Sequence, residues 1–318
     1  MSSKSNDQGR AFEYACIMQL EQAISQVRPV IIDEQSIQAA FDAWSVQNTY
    51  EQEQLLIAAD AFIETLFSAE PLILEQENEN DIVVLSINKD SDAEGGDVRD
   101  IVITRNSIKW EIGLSMKHNH FAVKHSRLSP TIDFGKKWYE MPCDGIYWNE
   151  VLPIFESLRD LKEQNIAWHD LNDKEGEVYY PIVNAFIEQI KRSYNLDNSL
   201  PSRLLSYLLG IKDFYKVVAI DSERITEFVS FNLRGELNHD GKRTRASLFV
   251  PIADLPTEII SIRFKPNSYS TAELYLNNGW TLSFRIHNAS TIVEPSLKFD
   301  IQFLGVPATI MVINCQWR

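Results

Sequence analysis

An aspartate, a glutamate, a serine and a lysine stand within a short span of DVRDIVITRNSIKWEIGLSMKHNH, residues 97–120: Asp100, Glu111, Ser115 and Lys117. Carboxylates can hold a magnesium ion, which polarises a phosphate and lowers the pKa of an attacking water. An ammonium beside them can orient that water or offset negative charge as it develops. Such groups can act together only if a rigid element carries them on one face. From Ile108 to Lys117 the even positions Trp110, Ile112, Leu114 and Met116 are apolar, whereas the odd ones are Lys109, Glu111, Gly113, Ser115 and Lys117. That is the period-two pattern of a strand with one core face and one polar face.

The segment reads as a β-hairpin bent at Asn106 and Ser107. A two-residue turn there sets Asp100 opposite Gly113 and Ile101 opposite Ile112. Glu111 and Ser115 are then diagonal to Asp100, with backbones roughly 7 to 8 Å away. A four-residue turn sets Asp100 opposite Ser115 instead. Either way the polar residues share a face. Alternation alone is also the pattern of a half-buried hairpin whose outer face is simply solvated.

The wider sequence is electrically uneven. The 318 residues carry a formal charge of −15, but residues 1–95 hold 4 Lys/Arg against 18 Asp/Glu. Residues 98–137 hold 8 Lys/Arg against 3 acids, with three of the six histidines. A basic patch on an acidic body can still hold a polyanion, because screening over about 8 to 10 Å makes the nearest charges count most. No apolar run approaches the roughly 20 residues that span a bilayer, and MSSKSNDQGRAFEY lacks the apolar stretch of a signal peptide, so a cytoplasmic location is expected. Cys16, Cys143 and Cys315 have no CxxC spacing and are expected to be buried thiols.

Helical periodicity is expected around residues 6–25, 36–46, 51–67, 150–165, 181–194 and 201–211. DIVVLSI reads as a strand and Asp90 to Gly96 as an acidic turn. From about residue 215 the pattern changes to short β runs, YKVVAI, ASLFVP, IISIRFK, AELYLNNGWTLSFRIH and SLKFDIQFLGV. A chain of this length and 44% hydrophobic content suits one large or two modest domains.

The residues that could do chemistry also carry a family resemblance. GDVRDIVI followed by EIGLSMKHNHFAVKHSRLS resembles the PD-(D/E)xK nuclease core of restriction endonucleases. The chain is most similar to the HaeIII restriction endonuclease family, and LNNGWTLSFRIHNASTIVEPSLKFDIQFLGVP resembles the C-terminal part of that family. The resemblance implies an α/β fold: a helical N-terminal region plus the nuclease core over 1–214, and a β-rich DNA-recognition portion over 215–318, possible as a continuation of that core. It further implies a type II enzyme that cleaves double-stranded DNA at GGCC, blunt between the central G and C, with Mg2+, the host being protected by a partner cytosine methyltransferase. A twofold-symmetric site suits a homodimer, and a monomer making two successive nicks also serves.

Within that resemblance Asp100 matches the metal-binding aspartate and Lys117 the motif lysine. The acidic position two residues before the lysine is Ser115, so the second carboxylate must come from elsewhere. Glu111 is preferred, although it lies four residues further back, about 13 Å along an extended strand. Glu13, in GRAFEYA, resembles the glutamate that related nucleases direct from their first core helix, and reads equally as a solvated helix residue. Asp97 is a further candidate that local turn bonding explains as well. DNA contacts are expected from His118, Asn119, His120, Lys124, His125 and Arg127, and from Lys136 and Lys137. Lys242, Arg243 and Arg245 in HDGKRTR, and Arg285, His287 and Asn288 in FRIHNAST, join them. Arg and Lys suit guanine O6 and N7. The adjacent letters HNH do not make an HNH nuclease, whose residues are spread over a ββα unit, and a metal cluster of His118, His120 and His125 is a further reading. Two other functions stay open: a non-enzymatic DNA-binding protein and a structure-specific PD-(D/E)xK repair nuclease.

Overall fold

A computed structural model describes residues 4–78, 80–88 and 96–318, apart from the side chains of residues 4–6, 124 and 125. Of the expected acidic turn, all but Gly96 lies outside the described residues. The chain falls into two compact units, each assembled from separate segments.

The first unit comprises residues 1–121, 210–253 and 308–318. Four helices come early: α1 (Lys4–Ser25), α2 (Glu34–Ser45), α3 (Thr49–Asp60) and α4 (Ile63–Ala69), with the strand β1 (Val30–Ile32) between the first two. The single helix expected over 51–67 is thus two. Asn48 and Glu51 form a reciprocal capping box that starts α3 two residues early, and the chain bends at Ala61 and Phe62 before α4. The strands β2 (Val83–Ile87), β3 (Ile101–Arg105) and β4 (Trp110–His118) follow.

After residue 210 come β6 (Phe214–Ile220), β7 (Ile225–Phe231) and, later, β12 (Val312–Gln316). These three join the first sheet, whose order is β1-β2-β3-β4-β6-β7-β12. Its β1–β2 and β4–β6 pairs are parallel and the others antiparallel. One face is core: Ile101 and Ile103 of β3, Ile112, Leu114 and Met116 of β4, and Tyr215, Val217 and Ala219 of β6 pack with Phe12, Cys16 and Leu20 of α1. The alternate residues of those strands form the opposite face. ASLFVP is an irregular segment rather than a strand; the Asn238 side chain bonds Leu248 O and Val250 N, and Val250 packs in the core.

The second unit comprises residues 122–209 and 254–307. It holds β5 (Ala122–Leu128), α5 (Phe134–Tyr139), α6 (Gly145–Glu163), α7 (Tyr180–Leu196), α8 (Leu200–Leu209), β8 (Ile259–Phe264), β9 (Thr271–Leu276), β10 (Thr281–His287) and β11 (Leu297–Gly305). Its antiparallel sheet runs β5-β11-β10-β9-β8. Phe134, Trp138, Phe186, Phe284 and Phe299 interlock at centroid distances of 4.9–6.3 Å and fill its core. All three cysteines are free and buried.

Candidate active site

The β3–β4 hairpin has the longer of the two turns. Arg105 pairs with Trp110, so four residues connect the strands: a 3-10 turn over Asn106–Ile108, closed by Lys109 in the left-handed region at φ 53°. The two-residue register is therefore corrected. Ile101 faces Leu114, not Ile112, and Glu111 faces Thr104. Carried one residue past Ile101, this register brings Asp100 to Ser115.

The Asp100 carboxylate is held from that side. Its Oδ2 accepts from Met116 N at 2.6 Å, Lys117 Nζ at 3.0 Å and Ser115 Oγ at 3.2 Å. Oδ1 has no hydrogen-bond partner among the described residues. Lys117 Nζ also donates to Met116 O at 2.9 Å. One ammonium thus sits between a carboxylate and a backbone carbonyl, two oxygens of the kind that hard cations take. The side chains of Lys117 and Asp100 keep 26% and 28% of their surface exposed, so solvent and substrate can reach them.

Glu111 lies near the start of β4, four residues before Ser115. Its Oε1 pairs with Arg99 Nη1 at 3.2 Å and Lys212 Nζ at 3.4 Å. Arg99 also forms a fork onto Asp97, with Nη2 at 2.7 Å and Nε at 2.8 Å. Burial alone would push Asp97 up, but the Arg99 hydrogen bonds and charge hold it below its ordinary value. The Arg99 side chain crosses Gly113 closely enough that any Cβ there would overlap it. Asp97 and Glu111 are thus the two ends of one buried guanidinium clamp.

Glu13 is half-buried on α1, next to Phe12, whose ring centroid is 6.2 Å from that of His118. Burial raises the Cys16 thiol, and the Glu13 charge adds to the rise. Among the described residues no group of three or more His, Cys, Asp and Glu is arranged to hold a metal. The donor set at Asp100 is one carboxylate, one carbonyl and one hydroxyl. That fits magnesium, which keeps several waters and needs only one or two carboxylates beside substrate phosphates.

Sequence reasoning did not place Lys216 on this face. In the parallel β4–β6 ladder Ser115 is partnered by Lys216 and Lys117 by Val218, so Lys216 shares the face of Asp100, Ser115 and Lys117. The available signal was a lone lysine inside the apolar run YKVVAI. The Met116 backbone was missed as well, since no side-chain pattern reports a carbonyl or an amide.

The expected DNA-contacting residues are spread over both units. In the first, His118 Nε2 bonds Asp221 at 2.9 Å, and Asn119, at φ 52°, bonds the same carboxylate at 2.8 Å. The His118 hydrogen bond holds Asp221 below its ordinary value. His120 is half-buried. The HDGKRTR turn is built over Glu75, which accepts the N–H groups of Lys242, Arg243 and Thr244 at 2.8 to 3.0 Å. Lys242 pairs with Glu77 and Arg245 with Asp240, while Arg243 is exposed.

In the second unit Lys124, His125 and Arg127 lie on the strand β5. The side chains of Lys124 and His125 lie outside the described residues. Arg127 donates to Ser296 O at 3.2 Å, and Lys136 and Lys137 are exposed on α5. Arg285 is exposed on β10, His287 Nε2 bonds Asp300 at 2.9 Å, and Asn288 holds its own loop through Ser290 O and Ile292 O.

Comparison with known proteins decides what the arrangement belongs to. The family described as HaeIII restriction endonuclease matches residues 9–307. The chain belongs to that family. It is also 50% identical over 320 residues, covering 100% of both chains, to the type II restriction enzyme HaeIII of Haemophilus aegyptius. No solved structure matches. The protein is accordingly an enzyme, a type II restriction endonuclease with double-stranded DNA as its substrate, and the reading as a non-enzymatic DNA-binding protein falls away. Enzymes of this class generally need a divalent metal. Among the described residues no helix is long and apolar enough to cross a membrane.

Proposed function

We propose that the enzyme hydrolyses double-stranded DNA at GGCC, blunt between the central G and C, by magnesium-dependent attack of water on the phosphate, in a PD-(D/E)xK type of site. What carries this reading is the convergence of Ser115, the Met116 N–H and Lys117 on a single oxygen of Asp100. Three donors on Oδ2 fix the carboxylate and leave Oδ1 as the oxygen that would hold the metal; the Met116 carbonyl, joined to Asp100 through Lys117, would offer a second oxygen. The ion, when bound, lowers the pKa of the attacking water and draws charge from the phosphate.

The remaining work falls to this chain's own groups. Lys117 orients the water, whose oxygen bonds to phosphorus as the bond to one sugar oxygen breaks and that oxygen takes up a proton. Ser115 stands where the motif carries an acid, and its hydroxyl holds Asp100 in place. Glu111 stays in the site as the far end of the Arg99 clamp. Glu111 and, in support from α1, Glu13 are the carboxylates proposed as further metal ligands.

His118, Asn119, His120, Lys124, His125, Arg127, Lys242, Arg243, Arg245, Arg285, His287 and Asn288 are the residues proposed to contact DNA. In the cell the enzyme works beside a cytosine methyltransferase that marks the host's own sites, and a homodimer matches the twofold symmetry of GGCC. Incubating the purified protein with a GGCC duplex, with magnesium and then with EDTA, tests the reading. Cutting at GGCC with metal alone supports it; cutting of branched or damaged DNA without regard to GGCC favours a repair nuclease instead. Lys117→Ala should bind the duplex and fail to cut it, and normal turnover would remove the lysine from the mechanism.

A further inference from the structure

Lys216 is nearly inaccessible, 8% exposed, at the centre of β6. Its Nζ makes one hydrogen bond among the described residues, to Phe121 O at 2.8 Å. An ammonium has three hydrogens to donate, and withdrawing it from water costs several kcal/mol unless paired and fully hydrogen-bonded. A single carbonyl does not meet that requirement. Glu227, two residues from Lys216's partner Val229 on β7, supplies some attraction, yet burial and the neighbouring charge of Lys117 outweigh it and pull Lys216 down to about 8. A methionine would fill the space at less cost.

What distinguishes the position is its neighbours. Asp100, Ser115 and Lys216 lie in one row across β3, β4 and β6, and Lys117 is one step along on the same face. Lys117 has Asp100, but Lys216 has only the partial attraction of Glu227 and the repulsion of Lys117, so an anion arriving between the two ammoniums would offset both. We propose that Lys216 is a second catalytic cation, donating to a non-bridging oxygen of the scissile phosphate while Lys117 orients the water. The assignment rests on the reading of Asp100 and Lys117 as the hydrolytic centre. It explains why a cation is kept buried with one carbonyl for company: Phe121 O holds the ammonium until the phosphate takes it over.

The test compares wild type, Lys216→Met, Lys216→Arg and Lys117→Met on a GGCC duplex. Binding is measured in EDTA with an ordinary scissile phosphate and with an uncharged methylphosphonate in its place, and cleavage is followed in a single turnover with magnesium. Wild type should bind the methylphosphonate duplex roughly tenfold to a hundredfold more weakly, as expected for losing a hydrogen bond to a charged group. Lys216→Met should discriminate between the two duplexes several-fold less than wild type, the remainder being due to Lys117, and cut about 10²- to 10³-fold more slowly.

Lys216→Arg should restore part of both effects, which a structural role would not produce, and it reads the same comparison if the methionine variant melts early. Unchanged discrimination in Lys216→Met, or its cleavage at the wild-type rate, overturns the proposal. So does an arginine variant that folds and restores neither effect. Normal cleavage by Lys117→Met would instead sink the underlying reading of the centre, leaving the binding comparison to judge Lys216 alone.

Discussion

The two ends of β3 carry the same ingredients and put them to different uses. Beyond its C-terminal end, Asp81 receives Arg28 and Arg105, together with Ser107 Oγ and Glu77 N, and the side chains of all three ionic partners are fully buried. The guanidiniums also close onto carbonyls: Arg28 onto those of Glu75 and Asp81, Arg105 onto that of Leu72. Just before its N-terminal end, Asp100 receives a serine, an amide and one lysine, all on a single oxygen, and remains about a quarter exposed. Both its carboxylate oxygens occupied, Asp81 can only hold the fold together. Asp100 keeps one oxygen free, and that oxygen can do chemistry.

Exchange at the reactive end should have the largest effect on activity and the least on folding. Asp100→Asn is expected to slow single-turnover cleavage on the order of 10³-fold or more, since several kcal/mol of transition-state stabilisation would pass through Asp100 in its proposed role as metal ligand. Its thermal midpoint should stay close to that of wild type. A variant that unfolds instead would make the two ends of β3 alike. Asp81→Ala should do the reverse, leaving two buried guanidiniums unpaired at a cost of about 3–5 kcal/mol in chemical denaturation. Burial raises Asp81, but the Arg105 and Ser107 hydrogen bonds hold it far below its ordinary value. Its contribution to stability is therefore present above the unfolded-state pKa and lost as pH falls through the folded one.

Gly113→Ala sharpens the contrast from the middle of the hairpin. The new methyl must displace Arg99, opening the clamp between Asp97 and Glu111, with an expected loss of about 1–3 kcal/mol. Comparing its melting with its cleavage rate shows whether that clamp serves the fold or the site.

Glu70 supplies the smallest effect and a third kind of carboxylate, buried as completely as Asp81 but with hydroxyl and amide partners in place of cations. It accepts from Tyr215 at 2.7 Å and Asn238 N at 2.6 Å, and burial pushes it up to about 7. The folded state then holds a proton that the unfolded chain has lost. The resulting stability is full below the unfolded-state pKa near 4.5 and disappears as pH rises towards 7. Urea titrations at pH 5 and pH 8 should show a smaller difference for Glu70→Gln than for wild type; an equal difference would mean that Glu70 ionises as readily in the folded protein as outside it.

Strands whose faces differ were readable. Trp110 to Lys117 alternates cleanly, and the parity that put Asp100, Ser115 and Lys117 together survived the change of register, because moving by two residues keeps every side chain on its face. The register itself depended on Lys109 adopting a left-handed backbone, which nothing in a lysine announces. Strands buried on both faces left less to read: in β6 every residue is buried, so Lys216 stood in an apolar run with no period to mark its side. The family resemblance supplied Asp100 and Lys117 as a pair, but could not tell that Arg99 would claim Glu111.

The parallel pairing of β4 with β6 has a consequence for how the enzyme comes into being. Ser115 and Lys117 lie against residues about a hundred positions further along the chain, and the whole of 122–209 must be made before that neighbour exists. Contacts so distant in sequence form late, after the long intervening loop has been closed. While the chain is still on the ribosome, the hairpin bearing Asp100 therefore lacks its flanking strand, and the row from Asp100 to Lys216 is assembled only once most of the protein has emerged.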